Sequence, residues 1–465
     1  MLVSDSLPEL PNSYRYGKGD DFAGGASARE RLDARMSQRH GGRTRPSRTI
    51  PSTSISPQFI RAALLLLAAI ALVGLVVFGV TRCVSGSAAS TGQDASASSA
   101  VDTVAARVSF VAVGDNLPND VIGEYADSQA GSKGDGSYDY RFLFTQVKPI
   151  VSSVDLAYVD QETHIGGDDI GPKGYPSFNT TDEMADAVVD AGFDMVASAT
   201  NHAYDWGYYG ALEHSLDVWS KLPVAYAGTA ASAEAAEKVA VVERSGIRFA
   251  LLSYTYGLNG YQEGEIEDYY VNYIDKGKIS ADVARAKGVA DVVLVAMHWG
   301  TEDESNPDAM EQEYAQFLAD VGVDVVLGSH PHIIQPMTWL SGKDGNRTLV
   351  CYSLGNFVMQ YEDPTPHQNL EGMMKCDFVR RQAEGPVTVE NVEWVPLVYH
   401  GAEGEYSVWP VSSYPDAFAS RHTAFKGESD PKSWMVQESN RIVNSLGGSF
   451  PIEGMGASPE EEDGQ

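Results

Sequence analysis

Apolar and polar positions fall in blocks along the chain. Short, nearly continuous apolar runs recur: VSFVAV at 108–113, DLAYV at 155–159, FDMVASA at 193–199, DVVLVAM at 291–297, VDVVL at 323–327 and LVCYSL at 349–354. Runs of this length and density suit strands buried on both faces. Between them, apolar residues recur at helical spacing. From Asp182 to Ala191, Met184, Val188 and Ala191 share one face, and Gly192 is placed to end the helix in a left-handed turn. From Asp308 to Val321, Met310, Tyr314, Phe317, Leu318 and Val321 share one face, again followed by glycine. These aromatic and Met residues read as core. Strand–helix alternation predicts an α/β fold, in which ligands gather beyond the C-terminal ends of strands. There is no internal repeat.

One apolar block has a different character. Residues 62–81, AALLLLAAIALVGLVVFGVT, carry no charge and lack the polar stripe of a core helix. As a helix they would span about 30 Å, the thickness of a bilayer core. Arg61 and Arg82 bracket them, and eight arginines but only two acids lie between residues 27 and 61. That asymmetry predicts a single-pass segment with the N-terminus cytoplasmic and the bulk of the chain outside the cell membrane. The apolar stretch is too long and starts too late for a cleaved signal peptide. The expected organisation is a disordered cytoplasmic tail at 1–60, a transmembrane helix at 61–82 and a Ser/Ala-rich linker at 83–104. A folded domain at 105–400 and a C-terminal extension with an acidic tail at 401–465 follow.

Composition sharpens this reading. An apolar share of 43% in 465 residues allows a large core. Beyond Arg82 the chain carries 58 acids against 22 bases, a net of −36, which disfavours nucleic acid and other polyanions as electrostatic partners. Of three cysteines, Cys83 abuts the membrane segment; Cys351 and Cys376 lie in strand-like runs and are either a disulfide or two buried thiols. No C-x-x-C pair is present, which argues against a cysteine zinc site.

The chemistry-bearing residues collect where the apolar runs end. Asp115 follows the first run, Asp160 and Glu162 the second, Asn201 and His202 the third, His298 the fourth, His330 and His332 the fifth. Carboxylate, amide oxygen and imidazole are ligands for divalent ions, and a mixed set of this size fits two of them about 3.5–4 Å apart. Each residue alone has an ordinary structural explanation as a cap, a turn or a satisfied core histidine. Repetition at five strand ends favours a site. In His330-Pro331-His332 the proline is expected to hold an extended backbone that turns both imidazoles to one side.

The segments VAVGDN (111–116), DLAYVDQET (155–163), NHAYDWG (201–207), HWGTE (298–302), LGSHPHIIQP (327–336) and YSLGNFV (352–358) resemble, in order, those of the CapA family of capsule and poly-γ-glutamate synthesis proteins. The likeness runs from about residue 107 to 360, with a weaker tail to about 400. It implies a calcineurin-like metallophosphatase fold: a two-sheet α/β/β/α sandwich with the metal loops at one edge. It also implies metal ligation by Asp115, Glu162, Asn201, His298, His330 and His332; Asp160, at the same strand end as Glu162, joins them as a candidate ligand by its position. If the protein is an enzyme, His202, steered by Asp205, would act as general acid. The implied cofactor is one or two divalent ions of manganese, zinc or iron. Three departures stand out. The family's Asn-Leu-Glu is Asp160-Gln161-Glu162 here, Ser329 replaces the first histidine of a Gly-His-His-Pro-His pattern, and Leu117 stands where many metallophosphatases have a histidine.

The function so implied is membrane-anchored, extracellular work in the synthesis or export of a capsule or poly-γ-glutamate type polymer, within a membrane biosynthesis complex. The substrate would be the polymer or a phosphoester. Two alternatives remain open at this level: an extracellular metal-dependent hydrolase acting on a wall-derived phosphoester, and a non-catalytic polymer-binding scaffold.

Overall fold

A computed structural model describes residues 104–262, 264–402 and 404–455. The expected cytoplasmic tail, membrane segment, most of the linker and the acidic end therefore lie outside the described residues. Among the described residues, no helix is long and apolar enough to cross a membrane.

Among the described residues, fourteen strands form two sheets. The first has the order β14-β13-β12-β1-β2-β3-β4, with β11 also paired to β1. Here β1 is Ala106–Asn116, β2 Leu156–Asp160, β3 Met195–Ala197, β4 Ala225–Ala227 and β11 Asn356–Val358. These five are parallel. The remainder of the sheet, β12 (Leu370–Arg380), β13 (Val387–Ala402) and β14 (Glu405–Pro410), is antiparallel. The second sheet has the order β5-β6-β7-β8-β10-β9. Its parallel centre is β6 (Ile247–Thr255), β7 (Val292–His298), β8 (Val325–Ser329) and β10 (Arg347–Cys351). The edges β5 (Ala240–Arg244) and β9 (Met337–Ser341) are antiparallel.

The layers follow from alternation of side chains along each strand. Val108, Phe110 and Ala112 of β1 meet Phe249, Leu251 and Leu294 of the second sheet in a shared core. Val111 and Val113 point the other way, onto Ile122 of α1 (Asp120–Ala130) and Met184 and Val188 of α2 (Asp182–Ala191). On the second sheet Val293, Val295 and Met297 face Ile279 and Val283 of α3 (Lys276–Val289) and Leu318 of α4 (Ala309–Val321). The result is helix, sheet, sheet, helix, so runs buried on both faces are what the centre requires. Gly192 and Gly322 end α2 and α4 in left-handed turns, and Asp308 caps α4 in a reciprocal box with Glu311. A last helix, α5 (Pro431–Val443), adds Met435, Ile442 and Val443 to the inter-sheet core.

Cys351 on β10 and Cys376 on β12 are both buried in this inter-sheet core and both free. The two-thiol reading holds for them.

Candidate metal centre

The site forms where the parallel strands of both sheets end on the same side. Asp115 at the end of β1 pairs in register with Asp160 of β2 and Asn356 of β11. Gly114 makes this possible: a Cβ there would lie 1.8 Å from the Gly355 carbonyl oxygen, so only glycine lets β1 approach the turn into β11. From the second sheet come His298, the last residue of β7, and Ser329, the last of β8, opposite each other in register. His330 and His332 follow directly.

The ligand-type atoms converge. Four overlapping sets each have their donor atoms within 4.8 Å of one another: Asp115–Asp160–His298, Glu162–His298–His330, Asp115–Glu162–His332 and Glu302–His330–His332. Asp115, Asp160, Glu162, His298 and His330 are buried, at 1% exposure or less. Asn201 is brought to the same place, its Oδ1 lying 2.9 Å from His298 Nε2. The other ring nitrogen of His298, Nδ1, lies 3.0 Å from Ser329 Oγ and 3.4 Å from Asp160 Oδ2. The serine that departs from the family pattern thus holds the imidazole rather than a metal.

The histidine turn differs from the expected extended form. His330 and His332 have φ of +94° and +59°, in the left-handed region that bulky residues avoid. Two distant side chains hold them there. The His330 backbone N–H donates to Asp115 Oδ2 at 3.1 Å. Asn356 grips His332 at both ends: Oδ1 lies 3.0 Å from His332 Nδ1, and Nδ2 donates to the His332 carbonyl at 3.0 Å. Both imidazoles still reach the site, by a bent route.

Beside the ligands, His202 Nδ1 lies 2.7 Å from Asp205 Oδ2. The same carboxylate oxygen accepts from Phe178 N–H at 2.8 Å, and the Phe178 ring meets His202 edge-on at 4.7 Å. Asn259 brings Nδ2 within 3.3 Å of His202 Nε2.

Burial and mutual repulsion dominate the electrostatics. Burial raises Asp115, pushes Asp160 up to about 7 and lifts Glu162 well above the carboxylate range; the Asp115 charge adds to the effect on Glu162. Burial lowers His298 to about 3 and His330 well below the imidazole range. Burial also pulls His332 down, but Glu162, Asp115 and Glu302 outweigh it and raise that imidazole to about 10.

The residues fit a divalent ion on one observation above all. Asp115 Oδ1, Asp160 Oδ2, both oxygens of Glu162 and both ring nitrogens of His330 are buried without a hydrogen-bond partner. Buried polar atoms are normally paired. Six such atoms converging from separate strand ends are the donor set a cation satisfies. An ion held there can activate water and polarise an ester or amide oxygen.

All nine sequence-predicted residues come together: seven donors, and the His202–Asp205 pair alongside. Three further residues belong to the site. Glu302 was visible in HWGTE, four positions after His298. Asn356 was visible as the polar end of the LVCYSLGN run. Asn259 lies in a loop with no motif around it, and only its backbone bond to Asn201 O, 2.9 Å, shows why it is there.

The model of the family described as bacterial capsule synthesis protein PGA_cap matches residues 109–361, more than half of the chain. The PGA biosynthesis protein CapA of Bacillus subtilis (strain 168) is 28% identical over 253 residues, covering 51% of this chain and 60% of that protein. The capsule biosynthesis protein CapA of Bacillus anthracis is 27% identical over 236 residues, covering 48% and 54%. The chain thus spans somewhat over half the length of these relatives. Among solved structures, a 5'-nucleotidase precursor from Thermus thermophilus aligns with a TM-score of 0.40 at 15% identity, covering 73% of this chain and 59% of that one. A hypothetical protein from the same organism aligns with a TM-score of 0.36 at 16% identity, covering 62% and 99%. Every site residue from Asp115 to Asn356 lies inside the matched segment, and the chain belongs to the bacterial capsule synthesis protein PGA_cap family.

Proposed function

We propose that this protein is anchored in the cell membrane through residues 62–81, with its folded part outside. There it serves the synthesis or export of a capsule or poly-γ-glutamate type polymer by metal-dependent hydrolysis, beside membrane-bound partners. The observation that carries this reading is the convergence of buried, unsatisfied ligand atoms with the His202–Asp205 pair, within the segment matched by the capsule-synthesis family. The names of the Bacillus relatives support the polymer. The charge asymmetry across residues 27–82 supports the topology.

In this reading Asp115, Asp160, Glu162, Asn201, His298, His330 and His332 hold one or two ions of manganese, zinc or iron. When bound, the ion supplies Lewis-acid activation of water and of a phosphoryl or carbonyl oxygen. The remaining work belongs to the chain. Asp205 accepts a hydrogen bond from His202 Nδ1–H and fixes the ring, so that Nε2 can carry a proton to the leaving group. Phe178 and Asn259 keep the imidazole from rotating.

The test is a pair of variants on the full chain. His332→Ala is expected to lose metal and phosphodiester turnover together, whereas His202→Ala keeps metal and loses about a hundredfold or more in turnover. Retention of both metal and turnover in the two variants sinks the hydrolytic reading. Protease treatment of intact cells tests the topology: digestion of the folded part is expected, and full protection contradicts an outside location.

A further inference from the structure

We propose that Glu302 is a metal ligand, and that with His330 and His332 it forms a second, outer cation position beside the buried inner one. The inference rests on the reading that the strand-end cluster holds divalent ions, and it deepens that reading by assigning a ligand and an order to the site.

The inner group is built entirely from buried residues: Asp115, Asp160, Glu162 and His298. Its donor atoms close on themselves in the Asp115–Asp160–His298 set. The two turn histidines border that group, His330 in a set with Glu162 and His298 and His332 in a set with Asp115 and Glu162, and they share a further set with Glu302. His330 is buried with both ring nitrogens lacking a hydrogen-bond partner. His332 has Nδ1 engaged by Asn356 Oδ1 at 3.0 Å, which leaves Nε2 for a ligand. The two imidazoles thereby present ring nitrogens to one place.

Glu302 is what the fold delivers to that place. Its carboxylate lies within 4.8 Å of donor atoms on both His330 and His332. The delivery is anchored. Gly300 (φ +86°) turns the chain after β7, and Asp303 (φ +62°) donates its backbone N–H to the Pro331 carbonyl at 2.9 Å. The Asp303 side chain accepts from Gln368 Nε2 at 2.8 Å. The loop carrying Glu302 is therefore tied to the same His-Pro-His turn that carries its two partner ligands. A carboxylate with two imidazoles suits first-row divalent ions such as zinc, manganese or iron over calcium. Glu302 is only partly buried whereas the inner residues are buried, so the two positions differ in access to solvent.

The experiment uses the full chain, stripped of metal and titrated with Mn²⁺, with bound ion counted by elemental analysis and calorimetry. Paramagnetic resonance of the loaded protein reads whether two ions are coupled. The wild type is expected to take up two ions that are magnetically coupled. Glu302→Gln is expected to weaken one of the two by at least about tenfold and replace the coupled signal by that of isolated Mn²⁺. Asp160→Asn should instead weaken the inner ion, and the exposed neighbour Glu304→Gln should match the wild type. Unchanged melting of metal-free Glu302→Gln shows that the fold is kept; should it fall, Glu302→Asp, expected to show an intermediate affinity, decides. A wild type that takes up ions in a manner Glu302→Gln reproduces overturns this inference alone, as does a single ion in the wild type. A wild type that takes up no ion overturns the metal centre itself and this inference with it.

Discussion

Removing divalent ions and then raising the pH should cost this protein stability, because the site's groups are shifted in one direction above neutrality. Without an ion, burial holds Asp160 at about 7 and raises Asp115 and Glu162. Against the pull of burial, Glu162 and Asp115 hold His332 at about 10. Each lies above its ordinary value, so the folded chain keeps protons that the unfolded chain releases. The stability these groups contribute is full below the ordinary values, 3.8 for Asp and 6.5 for His, and is lost as pH rises through about 7 and about 10. His298, lowered to about 3 by burial, and His330, also lowered, have the opposite sign; their contribution is present above 6.5 and is lost only as the pH falls. Above pH 6.5 the site can therefore only lose stability. At about 1.4 kcal/mol per proton per pH unit, Asp160 and His332 together give a loss of about 2 kcal/mol between pH 6.5 and about pH 8. Bound metal keeps the carboxylates ionised and the imidazoles neutral, and so removes this slope. Glu311, which burial raises to about 8, loses stability over the same range with or without metal and cancels in the difference. The assay is urea unfolding of chelated and metal-loaded full chain across that interval, followed by tryptophan fluorescence. The gap between the two should widen by about 2 kcal/mol as the pH rises. A gap that stays constant or narrows refutes the argument that these groups share their charge with a cation.

Two further outcomes follow from the geometry. Gly114→Ala places a Cβ 1.8 Å from a backbone oxygen that cannot move without breaking the β1–β11 pairing; a loss of more than about 3 kcal/mol in urea unfolding is expected, and a loss below about 1 kcal/mol contradicts the close approach. Asp205→Asn keeps the shape beside His202 but no longer demands the Nδ1 proton, so turnover should fall about a hundredfold while metal content, measured on the same sample, stays at the wild-type level; joint loss of metal would make Asp205 structural.

Much of this was legible in the sequence because burial on two faces leaves a plain signature. The apolar runs at 108–113, 155–159, 291–297 and 323–327 mark β1, β2, β7 and β8, and the residue types that end them mark the site. Asp308, Gly192 and Gly322 bound their helices for local reasons that a short window contains. What escaped depends on contacts between distant segments. Pro331 suggested an extended turn, since the residue before a proline is biased toward β conformations. The left-handed backbone of His330 is instead held by Asp115, 215 residues away, and that of His332 by Asn356. Glu302 stands in a recognisable segment, but its role depends on the Asp303–Pro331 backbone bond, which no spacing reveals. Asn259 carries no signal at all, because its place beside His202 is set by strand order across two sheets. The antiparallel half of the first sheet, β12 to β14, was less legible: β13 is exposed or half-exposed from Val387 to Glu393 and buried only from Trp394 to His400, so its apolar run begins midway along the strand.

The most direct test of the metal centre is elemental analysis of the purified full chain after equilibration with manganese, zinc and iron, compared with a Glu162→Gln/His332→Ala double variant that melts like the metal-free wild type. At least one equivalent of a first-row divalent ion in the wild type, and its loss in the variant, is expected. A wild type without bound ion, or a variant that retains it, contradicts the assignment of Asp115, Glu162, His298, His330 and His332 as ligands.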